Sequence, residues 1–318
     1  MAFGTDHVII GEVPNFIPEL WSDEVIAAYK SNLVMAGNVR KLNHRGKKGD
    51  TIKVPTPTRG SAASKSADTI VTFLAHGTDT GVSISIDKHY EYSRLIEDMA
   101  DVQALESLRR FYTDDGGYAI AQQDDRELIY EGLRADATLV TITANVVQDD
   151  ATFTGTIYEG DGTSWDGSTT ATDISDAGIR VLIKALDDVD APMSGRVMLV
   201  PTIVKSDLLG LARFTEQAFV GEVGAGNTIR NGLIGDVYGM EVFVTTNLPE
   251  IDDSGGSAQV QLFQCWQKDA LVLVEQLGVR SQSQYKQEYL ADLLTVDMIW
   301  GQKTVRPTSF LNGVVPTT

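Results

Sequence analysis

The strongest constraint on this chain is an arm running from Gly49 to Lys88. Its outgoing limb reads Thr51-Ile52-Lys53-Val54-Pro55-Thr56-Pro57-Thr58, and its returning limb Gly81-Val82-Ser83-Ile84-Ser85-Ile86-Asp87. Ile52 and Val54 alternate with polar neighbours, as do Val82, Ile84 and Ile86, which is the period of two expected of half-exposed strands. Between the limbs, Arg59-Gly60-Ser61-Ala62-Ala63-Ser64-Lys65-Ser66 is too polar and too small-sided to fill a core. Such a hairpin can reach roughly 50–60 Å at about 3.3 Å per residue. A compact domain of this length has a radius of gyration of about 20 Å. An arm that outreaches its own body must rest on something else, most simply a second copy of the chain. Lys53, Arg59 and Lys65 on the arm therefore suit contacts to a neighbour better than catalysis.

The body behind the arm has 318 residues, enough for one elaborate domain or two lobes. No apolar run approaches the ~20 residues of a membrane helix, and the start Met1-Ala2-Phe3-Gly4-Thr5-Asp6-His7 lacks the pattern of a signal peptide. No membrane partner is expected. Cys265 is the single cysteine, so an intramolecular disulfide is excluded and a reducing compartment is expected. Beside Trp266 in an apolar stretch, it reads as inert core.

A net charge of −18 argues against a protein that grips DNA, which needs Lys and Arg to neutralise phosphates. One local exception is Arg40-Lys41-Leu42-Asn43-His44-Arg45-Gly46-Lys47-Lys48. It reads as a solvated turn leading into the arm, with a nucleic-acid contact or an acidic surface on a neighbouring subunit as alternatives.

Along the chain, residues up to about Pro18 read as an extended tail, and Ser22 can cap a short helix followed by Val25, Ala28, Tyr29 and Met35. After the arm, Tyr90–Met99 leads into a long helical region. There Tyr118, Ala121, Asp125, Leu128, Ile129, Gly132 and Leu133 recur at three- and four-residue steps, with Asp124, Arg126, Glu127, Glu131 and Arg134 on the remaining surface. Asp114 and Asp115 suit its N-terminal end. Gly116 and Gly117, each costing roughly 1 kcal/mol against Ala inside a helix, mark a boundary or a hinge.

Thr152–Thr172 reads as an exposed loop. Asp173 then caps a helix whose stripe is Ile174, Val181, Leu182, Ala185 and Leu186, stopped by Val189–Met193. Val197–Val200 is a buried strand ending at Pro201, and a short helix over Val204–Arg213 follows. Phe219–Gly235 is glycine-rich and Met240–Val244 is another strand, so the middle third alternates helix and strand. Val260–Cys265 and Ala270–Val274 suggest a hairpin. Tyr289–Trp300 suggests a central strand interrupted by Asp292 and Asp297. There is no internal repeat.

Chemistry does not emerge. His7, His44, His76 and His89 have no metal-ligand spacing, and no nucleophile elbow occurs. The loop Glu159–Gly167 lacks the alternating ligands and distal Glu of a calcium loop. Gly221-Glu222-Val223-Gly224-Ala225-Gly226 lacks the third glycine of a dinucleotide fingerprint and the Lys-Ser or Lys-Thr of a P-loop, and reads as an interface loop. Paired carboxylates such as Asp114/Asp115, Asp149/Asp150 and Asp252/Asp253 sit in polar turns or helix starts. No enzyme and no cofactor are expected.

Three segments carry a resemblance. Ser93-Arg94-Leu95-Ile96-Glu97-Asp98-Met99-Ala100-Asp101-Val102-Gln103, running into Arg110-Phe111-Tyr112-Thr113-Asp114-Asp115-Gly116-Gly117-Tyr118, resembles the arm-to-spine passage of tailed-bacteriophage major capsid proteins. Asn231–Met240 resembles their axial-lobe loop and strand, and Lys268-Asp269-Ala270 with Gly278–Tyr289 their returning peripheral strands.

The resemblance implies an α+β chain of the Hong Kong 97 capsid fold. It implies an N-terminal arm over 1–48, an extended loop over 49–88, a peripheral domain with a long spine helix over 89–136 and 263–318, and an axial domain over 137–262. It further implies a shell of homo-pentamers and homo-hexamers enclosing packaged DNA without sequence-specific binding. The shell would be assembled in the host cytoplasm with a portal and a separate scaffolding protein, since no long scaffolding extension precedes the tail. A decoration protein is a further partner the family admits. On this mapping Lys53, Arg59, Lys65 and Arg94 are subunit-interface residues, and Gly116 and Gly117 a hinge that bends as the shell expands. No crosslinking residues transfer. The alternatives are an encapsulin-like compartment with protein cargo and, more remotely, an α/β hydrolase.

Overall fold

The computed structural model describes residues 33–46, 48–56, 62, 64–70, 80–98, 108–134, 141–143, 152–154, 157–165, 171–211, 235–252 and 259–317. Among the described residues a 3-10 turn, Met35–Gly37, precedes β1 (Arg40–Asn43). The arm supplies β2 (Thr51–Thr56) and β3 (Thr80–Ser85), followed by β4 (Lys88–Glu97) and the 27-residue helix α1 (Leu108–Arg134). Short β5 (Thr141–Thr143) and β6 (Thr152–Thr154) pair with each other, and β7 (Ile157–Glu159) leads to α2 (Asp176–Asp188). Then come β8 (Arg196–Val200), α3 (Thr202–Gly210), β9 (Asp236–Val237), β10 (Met240–Val244) and β11 (Glu250–Asp252). Four further strands close the chain: β12 (Gln259–Gln267), β13 (Leu271–Lys286), β14 (Ala291–Thr304) and β15 (Phe310–Pro316).

These elements make a mixed α+β fold around two principal sheets. One has the order β1-β13-β14-β4; the other runs β7-β15-β12-β8-β10-β9, with β11 added to β12. All five residues of β8 are buried, because the two faces of its sheet are both covered. Val197 and Leu199 face α1, while Met198 and Val200 face α2 and α3. β12 divides its side chains the same way, Leu262 and Trp266 on one side and Phe263 and Cys265 on the other. Burial pushes the Cys265 thiol up to about 12, which leaves it inert.

Helix α1 is the seam between the sheets. Its Leu128, Ile129 and Leu133 share one core with Trp266 and Phe310 of the larger sheet and Val296, Met298 and Trp300 of the smaller. Trp266 stacks on Phe310 at 5.5 Å, and Tyr90 on Trp300 at 5.2 Å. Polar side chains fix the seam as well: Gln264 Nε2 donates to the Ile129 carbonyl (3.1 Å), and Asn312 Nδ2 to that of Gly132 (3.2 Å).

Several expectations need correction. α1 begins at Leu108, so Asp114 to Gly117 lie inside it and neither cap nor bound it. Asp124 and Glu131, assigned to the solvent face, are buried. Arg40–Asn43 is not a turn; it pairs in parallel with Val272–Glu275. The stretch after Thr152 is not all loop, since β7 pairs with β15 and Trp165 is fully buried. Ser175, not Asp173, caps α2, its side chain accepting from the Gly178 N–H at 3.1 Å. On that helix Val181 is exposed and Ile179 takes its place in the core. β12 and β13 are not a hairpin. A tight turn, with Ala270 N–H donating to the Gln267 carbonyl, hands the chain from one sheet to the other, and β13 pairs with β14 instead. β15 joins the seven-stranded sheet, so residues 310–316 lie with β12 and not in the four-stranded layer.

The strand at Val197–Val200, the helix after Pro201 and the strand at Met240–Val244 form where expected. So does a strand over Tyr289–Trp300, with β14 interior to its sheet. The readings on the N-terminal tail and Ser22 helix, on Asp149/Asp150 and on the glycine-rich stretch Gly221–Gly226 lie outside the described residues.

Candidate assembly surfaces

The arm is a paired ribbon at its root. Ile52 stands opposite Ile84 and Val54 opposite Val82, in the register the alternation required. Ile84 and Ile86 are buried with Val272 and Val274, and Leu42, Ile52, Val54, Ile299 and Val305 pack around them. The backbone joins in: Ile86 N–H donates to the Asp50 carbonyl (2.7 Å), and Gln276 Nε2 to that of Gly49 (3.0 Å). β14 must carry glycine at 301, because any Cβ there would collide with the Ser85 carbonyl oxygen. The root is thus a closed piece of core. Lys53 lies between Ile52 and Val54 with its side chain exposed, and farther out the cover ends: Lys65 is exposed and Ile70 is 90% exposed. Arg59 lies outside the described residues.

The basic stretch finds acids within its own chain. Arg40 pairs with Asp269 (3.8 Å), and Lys41 (4.0 Å) and Arg45 (2.5 Å) both reach Glu275. Behind this strand two carboxyls of α1 are buried. Asp125 Oδ1 accepts from the Val34 and Met35 N–H groups (3.2 and 2.7 Å), and its Oδ2 accepts from Asn247 Nδ2 (3.2 Å). It ties residues 34–35, the spine and the segment after β10 to one point. Burial raises its pKa, and those hydrogen bonds only partly offset the effect. Asp124 is more exposed to the cost of burial: its Oδ1 has no hydrogen-bond partner among the described residues. Desolvation, with Asp125, Glu275 and Glu127 nearby and only Lys41 opposing, pushes its carboxyl up to about 7.

Arg94 and Gly116, assigned separate roles from sequence, belong to one cluster. β4 alternates, so Tyr92 and Arg94 point the same way, toward the start of α1. A methyl built on Gly116 would lie 2.8 Å from Tyr92 Cδ1 and 3.0 Å from Val296 Cγ2, so glycine is the notch that admits the Tyr92 ring. The Tyr92 hydroxyl donates to Asp115 (2.8 Å) and accepts from Arg94 Nε (3.2 Å). The Arg94 guanidinium carbon lies 5.6 Å from the Tyr92 ring centre and 5.8 Å from that of Tyr112. Phe111 packs edge-on against Tyr112 and remains 47% exposed. Gly117, by contrast, has nothing within 4 Å of where a Cβ would stand.

Sequence reasoning missed Tyr92, Tyr112 and Asp115 as partners of Arg94. The signal was the alternation of Tyr90, Tyr92 and Arg94, which places them on one side of a strand. Among the described residues no cluster of His, Cys, Asp and Glu could hold a metal ion, and no helix is long and apolar enough to cross a membrane. The acidic loop that superficially resembled a calcium site closes on itself, with Asp161 Oδ1 accepting from the N–H and hydroxyl of Thr163 (2.8 and 2.6 Å).

Comparison with known proteins adds two findings. A family model described as phage capsid protein matches residues 79–292. Among solved structures, a chain from Mycobacterium phage Che8 is 24% identical, covers 94% of this chain and 97% of its own, and gives a TM-score of 0.68. A capsid chain of Ralstonia phage GP4 covers 99% of both at 14% identity and TM-score 0.72. One from the capsid of cyanophage P-SCSP1u covers 96% of this chain and 95% of its own at 15% identity and TM-score 0.70. At these identities the likeness is one of fold. No curated protein matches this chain in sequence.

Proposed function

Because this chain belongs to the phage capsid protein family, we propose that its copies associate as pentamers and hexamers and close an icosahedral shell around packaged DNA. It is a major capsid protein, a structural subunit of the phage head. Closed symmetry limits growth, and many modest interfaces combine through effective concentration. The four-stranded sheet with α1 is the peripheral lobe, the seven-stranded sheet with α2 and α3 the axial lobe, and the β2–β3 ribbon the extended loop. Gly117, with open space around it, is the point at which the spine bends when the shell expands. The acidic charge suits a lining that must release its DNA, which is held without sequence-specific contacts.

The observation that carries this reading is the division of the arm. Its root is buried on its own sheet, whereas Lys65 and Ile70 beyond it are exposed. A neighbouring copy can cover such a tip where the arm reaches beyond its own body. Negative-stain microscopy of the purified protein, with and without a scaffolding partner, tests the reading. Closed shells of uniform diameter are expected in at least one condition; dispersed subunits in both would contradict it.

A further inference from the structure

The cluster around Arg94 has a property that its internal contacts do not use. Only Nε is engaged, by the Tyr92 hydroxyl; neither terminal nitrogen has a partner among the described residues. The side chain is exposed, yet it is not free to wander. It lies over two tyrosine rings, and the first of these is pinned by Asp115 and by the Gly116 notch. A guanidinium held in this way presents a planar pair of donors at low entropic cost, the geometry that suits a carboxylate or other two-oxygen anion.

We propose that Arg94 is the receptor for a carboxylate of a neighbouring copy of this chain, and that Tyr92, Tyr112 and Gly116 are positioning residues that aim it. The inference rests on the reading that copies of the chain form a shell, and it names one contact in that shell. Charge complementarity selects the partner: with 44 Asp and Glu against 26 Lys and Arg, an approaching copy offers carboxylates in excess. The setting agrees, since half-exposed Phe111 beside the two tyrosines gives the mixture of arginine and aromatic rings typical of the energetic centres of protein interfaces. The cationic head on β4 is thereby separated from the basic stretch at β1 and the turn after it, where Arg40, Lys41 and Arg45 are already paired with Asp269 and Glu275.

The test compares full-length wild type, Arg94→Ala and Arg94→Lys under DNA-free conditions in which wild type forms shells, following assembly by light scattering. Arg94→Ala is expected to keep the subunit's melting temperature and to raise the concentration needed for assembly by roughly tenfold. Arg94→Lys restores only part of this, because an ammonium cannot make the paired contact. Added salt weakens wild type more than Arg94→Ala. Assembly of Arg94→Ala at the wild-type concentration overturns the proposal, and so does full restoration by lysine. Normal Arg94→Ala shells that protect less DNA in infected cells overturn it in favour of a phosphate contact. If wild type forms no shells under any condition, the failure belongs to the shell reading and not to Arg94.

Discussion

The two main sheets of this subunit differ in how far the chain itself covers them. In the seven-stranded sheet β8 is buried throughout and β15 is buried from Phe310 to Val315, with α1 on one face and α2 and α3 on the other. The four-stranded sheet is finished only at its root, between α1 and the arm's Ile84 cluster. Farther along, β13 is exposed from Val279 to Tyr285, and Leu95, Tyr289 and Leu290 stand in solvent. That outer half is held by polar pairs. Arg280 grips Asp297 with two hydrogen bonds (2.7 and 2.9 Å), His89 adds a third contact at 3.3 Å, and the Tyr285 hydroxyl donates to Asp98 (2.8 Å). The Arg280 contact, helped by His89, holds the Asp297 carboxyl below its usual range. The larger sheet is a self-sufficient body. The smaller one is an extension whose shape is fixed within the chain and whose surface suits completion by other subunits.

Truncation should separate the two most sharply. Trp266 is fully buried, stacks on Phe310 and donates from Nε1 to the Asn38 carbonyl (3.0 Å). Trp266→Ala is expected to cost about 3–5 kcal/mol in denaturant unfolding of the free subunit. Tyr289→Ala, at the tip of the β13–β14 hairpin, should stay within about 0.5 kcal/mol of wild type. Equal costs would erase the distinction between the sheets.

The seam between them should carry a pH signature. In the unfolded chain Asp124 gives up its proton near 3.8, while burial holds the folded carboxyl protonated to about 7. A raised folded pKa means that the contribution of Asp124 to stability is full below pH 4 and is lost as pH rises toward 7. Asp124→Asn removes that loss, stabilising the subunit at pH 8 by at most roughly 4 kcal/mol and by little at pH 4. Thermal melts at the two pH values decide it; an equal effect at both would mean that the carboxyl is not held neutral.

The smallest effects concern the paired glycines. Gly117→Ala should stabilise the free subunit by about 1 kcal/mol and slow shell expansion. Gly116→Ala should destabilise it by about 1–3 kcal/mol, because the Tyr92 ring must move. Similar shifts for both would show that the notch is not specific.

Much of this was legible in the chain, and the failures share a cause. Alternation at Ile52, Val54, Val82 and Ile84 is local, and it set both the ribbon and its register. The buried run Val197–Val200 and the stripe through Leu128, Ile129 and Leu133 were equally local. The packing reason for Gly116 was not legible because the Tyr92 ring comes from a strand 24 residues earlier in the chain. Asp125 fell on the inward face by spacing, but its partners, the N–H groups of Val34 and Met35, come from about 90 residues earlier in the chain. Val260–Cys265 and Ala270–Val274 are both apolar runs, and such runs do not say which sheet they enter. Arg40–Asn43 has no apolar alternation at all, since a short edge strand is chosen by its partner. At the candidate assembly surfaces, Arg94 was named from sequence but its aromatic platform was not.

The most direct measurement is sedimentation velocity on a variant lacking Ser61–Ala67, alongside its thermal melt. Because the arm's root is buried independently of its tip, the account predicts a subunit that melts as wild type does and yields few or no shells, or shells that fall apart readily. A variant that assembles in normal yield into shells of normal stability would contradict it.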